Sequence, residues 1–172
     1  MRSRVIELTV NDEPRELLAA PGTTLLSAVR ESLGLTAAKR GCAQGTCGTC
    51  TVLLDGEPVM SCLIPVETID GASVRTLEGI NRPERSGGEA SGRDRRELDE
   101  LQAAFLEGFA TQCGFCTSGM IMAAEGLLAT NPEPTREDVV RAISGNVCRC
   151  TGYESIINAI LDAAARRGAV VR

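Results

Sequence analysis

Eight cysteines in a chain of 172 residues fall into two sets, and any fold proposed for this sequence must first place them. The first set is Cys42, Cys47 and Cys50 in one glycine-rich loop, followed at a distance by Cys62: C-x4-C-x2-C and a remote fourth thiol. The second is Cys113 and Cys116, then 31 residues, then Cys148 and Cys150, or C-x2-C followed by C-x-C. Histidine is absent. That removes imidazole ligands, HExxH zinc chemistry and Ser-His or Cys-His nucleophile systems. No catalytic constellation is left to assign.

The spacing of the first set is that of a plant-type [2Fe–2S] loop. A small cluster needs thiolates converging from one loop and backbone that can approach inorganic sulfide. Gly41, Gly45 and Gly48 supply it, since without a Cβ they accept positive φ and let amides point at sulfur. The second set is expected at helix N-termini, where free N–H groups and the positive dipole end favour a negatively charged thiolate centre. Taken alone, those four thiols satisfy a structural Zn(Cys)4 site as well. Beside the first loop, a second [2Fe–2S] centre is the expectation. Disulfides are disfavoured, because Met1–Val10 turns polar too early for a secretory signal and a C-x-C bridge would close a strained ring. The cytoplasm is the expected compartment.

Periodicity divides the chain. Val5, Ile6, Leu8 and Val10 predict a strand over 4–10, with a turn at Asn11–Pro14 and a returning strand at 15–19. Thr23 or Thr24 can cap a short helix carrying Leu25, Leu26, Ala28 and Val29 that ends at Gly34. After the cysteine loop, Thr51–Leu54 predicts a strand, Asp55 and Gly56 a hairpin turn, and 58–62 a strand returning Cys62 to the loop. A short strand at about 73–77 completes a small mixed sheet over one helix. Residues 79–95 are polar and Gly-rich, and predict an exposed linker.

Beyond the linker the period becomes helical. Leu98, Leu101, Phe105, Leu106 and Phe109 predict a first helix with both Phe in the core, and 116–129 a second. Thr135 can cap a third, ending at Gly145, and Thr151 with Glu154 has capping-box spacing for a fourth. The expected fold class is therefore α+β: a β-grasp domain of plant-type ferredoxin form at 1–78, a linker at 79–95, and a four-helix bundle domain at 96–172. A net charge of −5 and few aromatics argue against nucleic acid as a partner. No stretch is apolar over the ~20 residues of a transmembrane helix.

Three motifs together resemble the iron–sulfur subunit of the xanthine dehydrogenase/molybdenum hydroxylase family. They are Gly41–Val52 around the first loop, Gln112–Thr117 with Gly119 and Met120, and Gly145–Tyr153, and the likeness covers the chain except the linker. The resemblance implies one [2Fe–2S] cluster in each domain. Cys42, Cys47, Cys50 and Cys62 would ligate the outer one, and Cys113, Cys116, Cys148 and Cys150 the inner one. It also implies a large partner subunit with molybdopterin-bound molybdenum, contacted by Gln112 and Cys150, and in most members a medium subunit with FAD. Ser118 stands where relatives usually have Pro, Thr49 where Ala is common, and the 81–95 linker is long. The expected function is an electron-transfer subunit relaying electrons from the molybdopterin site through two clusters to FAD or another acceptor. The alternative is a free-standing two-cluster ferredoxin, and a third reading is a zinc-stabilised interaction module.

Overall fold

The computed structural model describes residues 3–80 and 98–170. Of the expected 79–95 linker, only Gly79 and Ile80 are among these, and 81–95 lie outside the described residues. The N-terminal half is built on a five-stranded sheet in the order β2-β1-β5-β3-β4, from β1 (Arg4–Val10), β2 (Glu13–Ala19), β3 (Thr51–Leu54), β4 (Glu57–Met60) and β5 (Ser73–Arg75). Strands β1 and β2 pair antiparallel through a turn at Asn11 and Asp12, both at positive φ, with Val10 opposite Glu13. Strand β5 lies parallel to β1 and antiparallel to β3, and β3 pairs antiparallel with β4.

The two-residue alternation of β1 buries Ile6, Leu8 and Val10 on one face, against Leu25, Leu26 and Val29. Those three come from α1 (Leu25–Ser27) and the π-helical turn that continues it over Ala28–Ser32. Of the two candidate caps, Thr23 and Thr24, it is Thr24 that caps α1, accepting the Ser27 N–H. The returning strand after Asp55 and Gly56 stops earlier than expected. It ends at Met60, and Cys62 sits in a 3-10 turn, Ser61–Leu63.

Among the described residues, four helices occupy the second half: α2 (Glu100–Glu107), α3 (Thr117–Thr130), α4 (Arg136–Ala142) and α5 (Glu154–Val170). Asp99 and Thr135 each begin a capping box, on α2 and α4. Helix α2 packs on α5, and α4 on α3 and α5, while α3 also lies on β3 and β4. The helices therefore do not stand apart from the sheet. Strand β3 is buried on both faces: Val52 joins the sheet core, while Leu53 joins the helical core, as does Ile80. What the packing establishes is a mixed α+β body in which the two halves share β3.

One expectation about the core fails. Phe105 is buried, but Phe109 is 82% exposed, because α2 ends at Glu107 and Phe109 takes a positive φ of 52° beyond it.

Candidate metal centres

The first ligand loop turns on left-handed backbone at Ala43, Gly45 and Gly48. Gly41 has a different reason to be glycine: a Cβ there would lie 2.7 Å from both Cys47 Sγ and Thr49 Oγ1. Backbone folded this way aims donors at sulfur, and the Thr46 N–H reaches Cys42 Sγ at 3.3 Å. Donation from the Thr46 side chain and from the Gln44 and Thr46 amides pulls the Cys42 thiol down to about 6. Cys50 lies inside the sheet core, and burial pushes its thiol up to about 11.

The second set spans the start of α3 and the loop from Ile143 to Tyr153. Cys116 is the residue before α3, and burial, with Cys148 beside it, pushes its thiol up to about 12. Burial opposes ionisation of Cys148 too, but the Thr151 hydroxyl and the Thr151 and Cys150 amides outweigh it and lower its pKa. The Cys148 N–H donates to the Tyr153 hydroxyl at 2.9 Å. Thr151 does not cap α5 with Glu154 as expected. Its Oγ1 accepts the Tyr153 N–H and faces Cys148 Sγ.

The structure brings all eight cysteines together in twos. Cys42 hydrogen-bonds Cys47, Cys50 pairs with Cys62, and Cys116 with Cys148. Cys113 and Cys150, both exposed, have their sulfurs 3.6 Å apart. Among the described residues no three ligating side chains converge on one point. A two-iron cluster takes two thiolates on each iron. The donor set fits such a cluster. Gln112 is exposed beside Cys113, so Gln112, Cys113 and Cys150 form one accessible edge.

The two ligand loops touch. The Val147 N–H, one residue before Cys148, donates to the Cys47 carbonyl at 2.9 Å. The Asn146 amide donates to the Gly48 carbonyl at 2.9 Å and to Thr51 Oγ1 at 3.3 Å. Gly48 is required here because a side chain would lie 2.5 Å from the Gly145 carbonyl oxygen. Sequence reasoning placed Asn146 only within a motif and missed this contact, since nothing in the spacing tells which residue of one loop reaches the other. Ser118 is buried, and its hydroxyl has no hydrogen-bond partner.

Comparison with known proteins matches both halves of the chain to iron–sulfur domains. Residues 8–73 match the model of the 2Fe-2S iron-sulfur cluster binding domain, and residues 76–161 that of the [2Fe-2S] binding domain. The chain is 42% identical to the nicotinate dehydrogenase small FeS subunit of Eubacterium barkeri, over 96% of this chain and 98% of that one. The chain belongs to the family of iron–sulfur subunits of the molybdenum hydroxylases. It is also 44% identical to the xanthine dehydrogenase iron-sulfur-binding subunit of Escherichia coli O157:H7, over 91% of this chain and 92% of that one. In three dimensions it is similar to a chain of quinoline 2-oxidoreductase from Pseudomonas putida 86, with a TM-score of 0.87 and 43% identity over 99% and 98% of the two chains. As in this family, the chain carries two [2Fe–2S] binding domains and serves an oxidoreductase as its redox subunit. No helix among the described residues is long and apolar enough to cross a membrane.

Proposed function

We propose that the chain relays electrons from a molybdopterin site in a large partner subunit to FAD, in a medium subunit, or to another acceptor. The observation that carries this is the direct contact of the two ligand loops, Val147 N–H on the Cys47 carbonyl, one residue from Cys148. Cys42, Cys47, Cys50 and Cys62 hold one centre and Cys113, Cys116, Cys148 and Cys150 the other, a reading supported by their grouping in pairs. Each [2Fe–2S] group, when bound, supplies a one-electron couple whose potential the surrounding protein sets. The protein's own part is to hold the thiolates, direct N–H and O–H donors at them, and fix the spacing of the two sites.

Gln112 and Cys150 contact the pterin, supported by the exposed edge they share with Cys113. The four C-terminal helices form one bundle around the inner site, supported by the packing of α2 on α5 and of α4 on its neighbours. The domains are 1–78 and 96–172, joined by 79–95, and the protein works in the cytoplasm, consistent with eight thiols kept for metal. The test is purification under mild conditions with metal analysis. About four iron and four sulfide per chain, copurifying with a molybdenum-bearing subunit, is the expected result. Isolation alone, fully loaded, would favour a diffusing ferredoxin, and zinc in place of iron would contradict both.

A further inference from the structure

Each ligand set has a threonine hydroxyl lying against one of its sulfurs. Thr49 is 4% exposed, and its Oγ1 is 3.3 Å from Cys47 Sγ. The same oxygen donates to the Lys39 carbonyl at 3.1 Å, while the Lys39 N–H returns to the Thr49 carbonyl at 2.9 Å. Gly41 backs this spot, with room for no side chain against Cys47 Sγ and Thr49 Oγ1. In the second set Thr151 Oγ1 is 3.2 Å from Cys148 Sγ. It already accepts the Tyr153 N–H at 3.2 Å, so its own proton remains for the sulfur. A metal-bound thiolate carries no proton, so in the loaded protein the hydroxyl is the donor of the Thr151 O–H···S pair, while at Thr49 a single proton is shared between Cys47 Sγ and the Lys39 carbonyl.

We propose that Thr49 and Thr151 are redox-tuning residues, whose hydroxyls donate to Cys47 and Cys148 and raise the potential of their own [2Fe–2S] centre. The inference rests on the assignment of the eight cysteines as ligands. Reduction adds negative charge that is shared by the sulfurs, and a donor aimed at sulfur stabilises the reduced form more than the oxidised one. The two residues differ in strength. Thr151 has one acceptor for its proton, whereas at Thr49 the Lys39 carbonyl competes with the sulfur. Thr151 therefore raises its centre more than Thr49 does.

The test is a redox titration of the iron-loaded chain, with the subunits that purify with it, following the paramagnetic signal of each reduced centre. Thr151→Val should lower the reduced-to-oxidised ratio of one centre about tenfold at fixed potential, a shift of about 59 mV for one electron, and leave the other in place. Thr49→Val should move only the other signal, in the same direction and by less. Thr49→Ser and Thr151→Ser keep the hydroxyl and should stay near the unsubstituted protein. Alanine variants give the same readout where valine hinders loading. Serine variants shifting as far as valine ones, an upward shift, or no shift in either valine variant would overturn the proposal. Iron near four per chain in the unsubstituted protein keeps this outcome separate from failure of the ligand assignment.

Discussion

At the scale of single residues, the same side chain is set to different ends by its surroundings. Cys42 meets four donors on its loop and its thiol falls from 9.0 to about 6, while burial takes Cys50 to about 11 and Cys116 to about 12. A thiol held below its unfolded value favours the fold most above the unfolded pKa, and that contribution is lost as pH falls through the folded one. In the metal-free chain near neutral pH, Cys42 is thus the thiol that ionises most readily of these three. Iodoacetamide should label Cys42 well before Cys50 or Cys116, and the preference should fade below pH 6. Peptide mapping of partially alkylated protein checks this. Uniform labelling, or Cys50 reacting first, would contradict it.

At the scale of elements, one cation ties three helices. Arg167 on α5 bonds Asp99 at the start of α2, at 2.7 Å, and Glu125 on α3, whose side chain is only 4% exposed. Losing one partner of a largely buried charged hydrogen bond costs about 1–3 kcal/mol. Arg167→Leu should lower the stability of the iron-loaded protein by about that much in chemical denaturation. Arg167→Leu with Glu125→Leu should recover much of it, and equal losses in the single and double variants would contradict the coupling. The first turn of α3 makes a second prediction. A Cβ on Gly119 would drive into the Gly48 carbonyl and crowd Thr49 Cα. Gly119→Ala should cost about 1–3 kcal/mol by overpacking and reduce iron bound per chain. Unchanged loading and stability would show that the loops can part freely.

These elements were legible in the sequence to different degrees. The hairpins, the Thr24 and Thr135 caps and all eight thiols follow from local patterns, because turn chemistry and capping act over three or four residues. Phe109 misled because periodicity continues past the point where the helix stops. Thr151 misled because a capping-box spacing also serves a hydroxyl that bonds a neighbouring amide and faces sulfur. The Arg167 triad and the reach of Asn146 to Gly48 join residues 42 or more apart, the helical core covers one face of β3, and no local pattern encodes such contacts.

At the scale of the molecule, two small ligand-binding halves become one relay because their ligand loops are in contact rather than tethered at a distance. Val147, Asn146 and Gly119 close on Cys47 and Gly48, and Leu53 and Ile80 extend the helical core into the first half. Each half has fewer than ~100 residues, so bound metal also contributes folding energy, and chelation should lower the melting temperature. The central claim is that one chain holds two separate [2Fe–2S] centres. It is tested most directly by the low-temperature paramagnetic spectrum of the reduced, iron-loaded protein and of two variants. The unsubstituted protein should give two distinct signals, with Cys42→Ser removing one and Cys113→Ser the other. A single signal, or loss of both signals in each variant, would contradict two independent centres.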